Sequence, residues 1–139
     1  MGITIDGPTK AIDLGCSGFA RLRLKVAELT GEDIHKHYAY LIQNMHKMQK
    51  EDFDRYDAET EKISENHNGE IDLILDFLYA PDVGATVSAD TCSAIYEVVK
   101  DYDDNILYGY TGRKDCAKFA DFKAILLDCI QHKSDMTWF

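Results

Sequence analysis

Two amphipathic stretches between residues 88 and 130 constrain the fold more than any other feature of this chain. In the first, Cys92, Ile95, Val99 and Tyr102 recur at helical spacing; in the second, Phe119, Phe122, Leu126 and Cys129 do the same. A helix with one apolar stripe must bury it against another element, so the two predict a packed helix pair acting as a scaffold. Ser88 is the natural N-cap of the first, which should run to about Tyr102. The second should span about residues 115–133, capped by Asp115 or Thr111. Between them lies an acidic and aromatic break, residues 101–113.

Upstream the helical pattern continues. Ser17 caps a predicted helix to about Thr30 with Phe19, Leu22, Val26 and Leu29 on one face, and Arg21, Arg23 and Lys25 form a small basic cluster read as solvated. Thr30, Gly31, Glu32 and Asp33 resemble a capping box opening a helix to roughly Lys50, with a stripe of Ile34, Tyr38, Leu41, Met45 and Met48. Residues 51–65 carry seven carboxylates against Arg55 and Lys62, yet Phe53, Tyr56, Thr60 and Ile63 keep helical spacing, which predicts a surface helix with one thin buried edge. After the turn at residues 66–69 a short, largely apolar helix is expected to about Tyr79, ended by Pro81. At the ends, Ile3-Thr4-Ile5 and the closing Met136-Thr137-Trp138-Phe139 are β-prone, the latter suited to pair with Ile3-Thr4-Ile5 or with Thr86-Val87. The expected fold is therefore mainly α: one compact helical domain over residues 1–139, of five or six helices, with room for a minor two- or three-strand β element near the termini.

At 139 residues and 45% hydrophobic content the chain can bury a core without staples. The cysteines Cys16, Cys92, Cys116 and Cys129 have no CxxC spacing and read as reduced, partly buried thiols. With 25 acidic against 15 basic residues the net charge is −10, which disfavours direct binding to nucleic acid or anionic membranes and favours basic partners. The first residues lack the pattern of a secretory signal and no apolar run suits a membrane span, so a cytoplasmic location is expected.

Catalytic patterns such as GxSxG, HExxH and the dinucleotide fingerprint do not occur, and the expectation is a noncatalytic, cofactor-free protein. Asp128, Cys129 and His132 can be drawn as a metal pair or a Cys–His nucleophile, but read more simply as a packed thiol and an imidazole at a helix end. Asp101, Asp103 and Asn105 have the one-three-five spacing of a calcium loop, but Ile106 stands where the turn needs Gly and Gly112 where a bidentate Glu is needed. Tyr108, Tyr110 and Arg113 combine the residue types that anchor interfaces. With the carboxylates Asp54, Asp57, Glu59 and Glu61 they form the candidate partner-binding set. The functional expectation is an acidic protein-interaction module, one version being an inhibitor of a basic or nucleic-acid-handling protein. The alternative is a small-ligand or metal binder at residues 101–105.

The runs Cys92-Ser93-Ala94-Ile95-Tyr96-Glu97-Val98-Val99-Lys100-Asp101, Asp121-Phe122-Lys123-Ala124-Ile125-Leu126 and Gly18-Phe19-Ala20-Arg21-Leu22-Arg23 resemble short uncharacterised proteins of Gram-positive bacteria and their mobile elements. The resemblance implies a cytoplasmic, noncatalytic small protein and carries over no site residue. Through mobile elements it also implies a role against host defence.

Overall fold

The computed structural model describes residues 2–109 and 116–139. Strands β1 (Gly2–Asp6) and β2 (Ala11–Gly15) form an antiparallel hairpin that runs straight into helix α1 (Cys16–Thr30). Helix α2 (Glu32–Asn44) is prolonged by one 3-10 turn at Met45–Lys47 and followed by α3 (Lys50–Asn66) and the short α4 (Asp72–Leu78). Strand β3 (Ala85–Val87) precedes α5 (Ala89–Val99), and α6 (Phe119–His132) leads to the last strand, β4 (Met136–Trp138).

The predominantly helical expectation holds, with six α-helices among the described residues. The β part is larger than expected: four strands in one antiparallel sheet, ordered β2-β1-β4-β3. The C-terminal strand pairs with both candidate partners at once, Trp138 standing opposite Ile5 on one side and Ala85 on the other. Alternation explains how the sheet packs. Ile3, Ile5, Leu14, Ala85, Val87, Met136 and Trp138 point into the core, while on the outer face Thr4 donates to Asp13 and the Thr86 and Thr137 hydroxyls bond each other. Strand β2 escaped sequence reading because Ile12 and Leu14 alone make too short an alternation. Its hairpin is secured from afar: both oxygens of the buried Asp128, on α6, accept from the backbone N–H groups of Thr9 and Lys10 and from the Thr9 hydroxyl, at 2.7–3.1 Å.

The α5–α6 pair is the most extensive helix contact, as the two stripes require. Cys92, Ile95, Val99, Phe119, Phe122, Leu126 and Cys129 are all buried, and Cys92, Cys116 and Cys129 are free thiols. Ser88 caps α5, its hydroxyl accepting from the Thr91 amide. Several boundaries differ from expectation. Thr30 stays in α1, donating to the Val26 carbonyl, so the predicted capping box does not form and Gly31 separates the helices. Helix α5 stops at Val99, and α6 starts at Phe119 with Asp121 reaching back to the Lys118 amide. The proposed caps Thr111 and Asp115 lie outside the described residues.

Four aromatic rings from four elements meet in the core. Phe77 of α4 lies 6.2 Å from Phe19 of α1, 5.6 Å from Trp138 of β4 and 6.0 Å from Phe122 of α6, measured between ring centroids. Among the described residues no helix is long and apolar enough to cross a membrane. Because Phe77 is fully buried and joins all four elements, Phe77→Ala is expected to destabilise the protein by about 3–5 kcal/mol. Leu73→Ala, on the exposed side of the same helix, should stay within about 0.5 kcal/mol. Urea unfolding followed by circular dichroism measures both.

Candidate functional site

Helix α3 is the least buried long helix of the fold. Of its 17 residues only Tyr56 is buried, and its neighbour is α2. The attachment is a small polar network. The His37 and Tyr56 rings stack at 3.8 Å, nearly parallel. The Tyr56 hydroxyl donates to the His37 carbonyl at 3.0 Å, so the Tyr79 hydroxyl, 2.8 Å away, must donate to Tyr56. Thr60 gives its own proton to the Tyr56 carbonyl and therefore accepts from His37 Nε2 at 2.7 Å. This assigns the Nε2–H tautomer and leaves Nδ1 as the acceptor, 3.7 Å from the Glu59 carboxylate. Near the C-terminal end of α3, His67 bonds Asp33 at 2.8 Å and Ser64 donates to Asp72 at 2.6 Å.

This docking divides the predicted carboxylates. Asp54, Asp57 and Glu61 are exposed and, together with Glu65, follow one another at three- and four-residue steps, a single stripe turned away from the Tyr56, Thr60 and Ile63 edge. None of these four is ion-paired with a described residue. Glu59, expected in the same set, instead faces His37 in the groove between α2 and α3. Glu65, inside the acidic run of residues 51–65 but outside the candidate set of four, also belongs to the stripe, four residues after Glu61.

Tyr108 is a correction. Its ring is buried against Phe119, with the Arg21 guanidinium carbon 5.3 Å from its centroid, so it is not presented at the surface as expected. The cause is a backbone clasp: Leu107 bridges Lys118, and the amides of Tyr108 and Gly109 both donate to the Ala117 carbonyl. The clasp presses the Tyr108 carbonyl onto α1 at Gly18, where a Cβ would stand 2.1 Å from that oxygen. Tyr110 and Arg113 lie outside the described residues.

The calcium reading fares differently again. Asp103 spends its carboxylate on the Asn105 amide in a local turn, and Asp101 and Asn105 are exposed. The oxygens that converge beside this loop already hold a cation, the Lys123 ammonium, bonded to the carbonyls of Lys100 and Tyr102 at 2.9 and 2.6 Å and to Asp104 at 2.7 Å. Among the described residues no three His, Cys, Asp or Glu side chains group as a metal site. The Cys129–His132 pairing does not form either. The Cys129 thiol points to the Asp135 carbonyl, while His132 Nδ1 faces the Asp128 carbonyl.

Arg23, expected in a solvated cluster, is only 3% exposed. It lies four residues after Phe19, and its guanidinium stacks over that ring at 4.5 Å, so it falls on the helix's buried arc.

No family model, curated protein or solved structure matches this chain.

Burial holds the His37 imidazole below its ordinary value of 6.5, partly offset by Glu59 and Asp57. Since the unfolded chain takes up the proton first, this contribution to stability is complete above about pH 6.5 and declines as the pH falls below it. The groove beside His37 is lined by Asp33, Lys36 and Tyr40 on α2 and by Asp52, Arg55, Tyr56, Glu59 and Lys62 on α3; the Tyr79 hydroxyl bonds Tyr56 behind it, and Asp57 acts on the imidazole only through its charge, from the edge of the outward stripe. The urea midpoint is expected to drop on mild acidification, and His37→Gln should flatten that drop.

Proposed function

We propose that the protein is a noncatalytic interaction module that binds a basic protein partner through the outward acidic stripe of α3. The observation that carries this reading is the stripe itself. Asp54, Asp57, Glu61 and Glu65 repel one another at i,i+3 and i,i+4 spacing, which costs about 0.2–0.5 kcal/mol per neighbouring pair, and none of the four forms an ion pair with a described residue. A partner bringing Lys or Arg to this face removes that repulsion and supplies charge-assisted bonds. The rigid helical spacing of the carboxylates also suits a protein surface that otherwise tracks phosphates, so an inhibitor of a nucleic-acid-handling protein is the version this geometry favours. The net charge of −10 adds long-range attraction to any such partner.

The test is capture from a cell lysate at low salt and at about 1 M salt, where the Debye length shrinks to about 3 Å. A stoichiometric basic protein should bind at low salt and be released at high salt. Asp54→Lys/Asp57→Lys/Glu61→Lys should lose it. Glu70→Lys/Asp76→Lys/Asp101→Lys, an equal charge change at exposed positions elsewhere, should keep it. Equal retention by both triple variants would refute a role for the stripe.

A further inference from the structure

A second site lies on the other side of α2. A cleft of about 570 Å³ opens between α1, α2 and the segment after α4, within the size range of small-molecule pockets. Its rim is apolar and unusually open to water: Ile42 is 40% exposed, Met45 52% and Val83 62%. Its lining includes Phe19, Tyr38 and Arg23.

Arg23 gives the cleft its chemistry. A guanidinium stacked on Phe19, Phe77 and Trp138 has exchanged water for aromatic faces and needs its remaining N–H groups satisfied. Nη2 donates to the Pro81 carbonyl and Nη1 to Asp82, both at 3.1 Å, the Tyr38 phenol also interacts with the guanidinium, and Nε has no hydrogen-bond partner. The two ends of the ion pair are unequal: the Arg23 side chain is 4% exposed and that of Asp82 85%. Asp82 is thus a counter-ion standing in water beside a buried cation, and its carboxylate loses little by returning fully to solvent. An incoming carboxylate can take its place on Nη1 while Asp82 turns its charge into water. The apolar part of the same molecule would then cover Ile42, Met45 and Val83, a burial the free protein forgoes. A purely apolar molecule gains only the second of these terms.

We propose that this cleft binds a small amphipathic carboxylate, its head on Arg23 in exchange for Asp82 and its apolar body along Ile42, Met45 and Val83. The site is independent of the α3 stripe.

Trp138 is the only tryptophan and its ring lies 5.4 Å from the Arg23 guanidinium carbon, so its fluorescence reports on the site directly. Decanoate, titrated below its micelle concentration, should give a saturable change, and decanol should bind at least about tenfold more weakly, the equivalent of ~1.4 kcal/mol for one charge-assisted hydrogen bond. Ile42→Glu, on the exposed rim, should weaken decanoate binding. Asp82→Asn removes the competing carboxylate and should tighten decanoate while leaving decanol unchanged. No saturable change with decanoate, equal affinity for acid and alcohol, or an Asp82→Asn variant that binds decanoate no tighter would each overturn the proposal.

Discussion

Phe19, Phe77, Phe122 and Trp138 contact one another across α1, α4, α6 and β4, and the remaining architecture is arranged around that junction. Trp138 is the member that matters most for order. It sits on a three-residue strand that fills the gap between β1 and β3, so the sheet is not continuous until the C-terminal residues are in place. Its indole N–H donates to the Pro81 carbonyl, which also receives Arg23, and one backbone oxygen thereby links the sheet, the turn after α4 and the first helix. Large rings bury much area each and tolerate little displacement. The junction therefore holds helices and sheet in one relation.

Against this tightly packed body, α3 is held differently. Its docking depends on one stacked imidazole–phenol pair, a chain of hydroxyls and two side-chain bonds near its end. Such a helix contributes little to the core and is free to carry a composition that no core helix could. Its acidic stripe is destabilising taken alone, and its retention on a helix with a single buried side chain is what favours a partner-binding reading. The two faces of α2 thus differ in kind. One holds α3 through polar contacts, and the other lines an apolar cleft whose buried cation is shared with the aromatic junction.

Two internal cation and anion placements show how the fold satisfies charge without ligands. Lys123 donates to two carbonyls and to Asp104 where the chain leaves α5, in a loop whose spacing resembled the start of a calcium site. Asp128 gathers the donors of the β-hairpin turn; burial by itself would raise its carboxyl, but the bonds from Thr9 and Lys10 and the neighbouring His132 hold it below its ordinary value. In both cases a group that looked available for chemistry is already engaged in joining distant segments.

The helices were legible in the sequence because their information is local. The stripes of α5 and α6, the thin edge of α3 and the Ser88 cap all follow from residues within a few turns of one another, and the acidic character of residues 51–65 needs no tertiary context. What the sequence left open depends on contacts between residues far apart. The sheet rests on β4 pairing with strands at both earlier positions and on Asp128 reaching the hairpin, neither of which leaves a periodic trace. Tyr108 looked like a surface anchor until the clasp with Ala117 turned it inward, whereas Glu59, two residues from both Asp57 and Glu61, leaves their face by helical spacing alone. Arg23 was hardest to read, since charge argues for solvent and only three surrounding aromatic rings make burial tolerable. Local spacing determines which elements form; which side chains remain free to act is decided by what the folded chain brings against them.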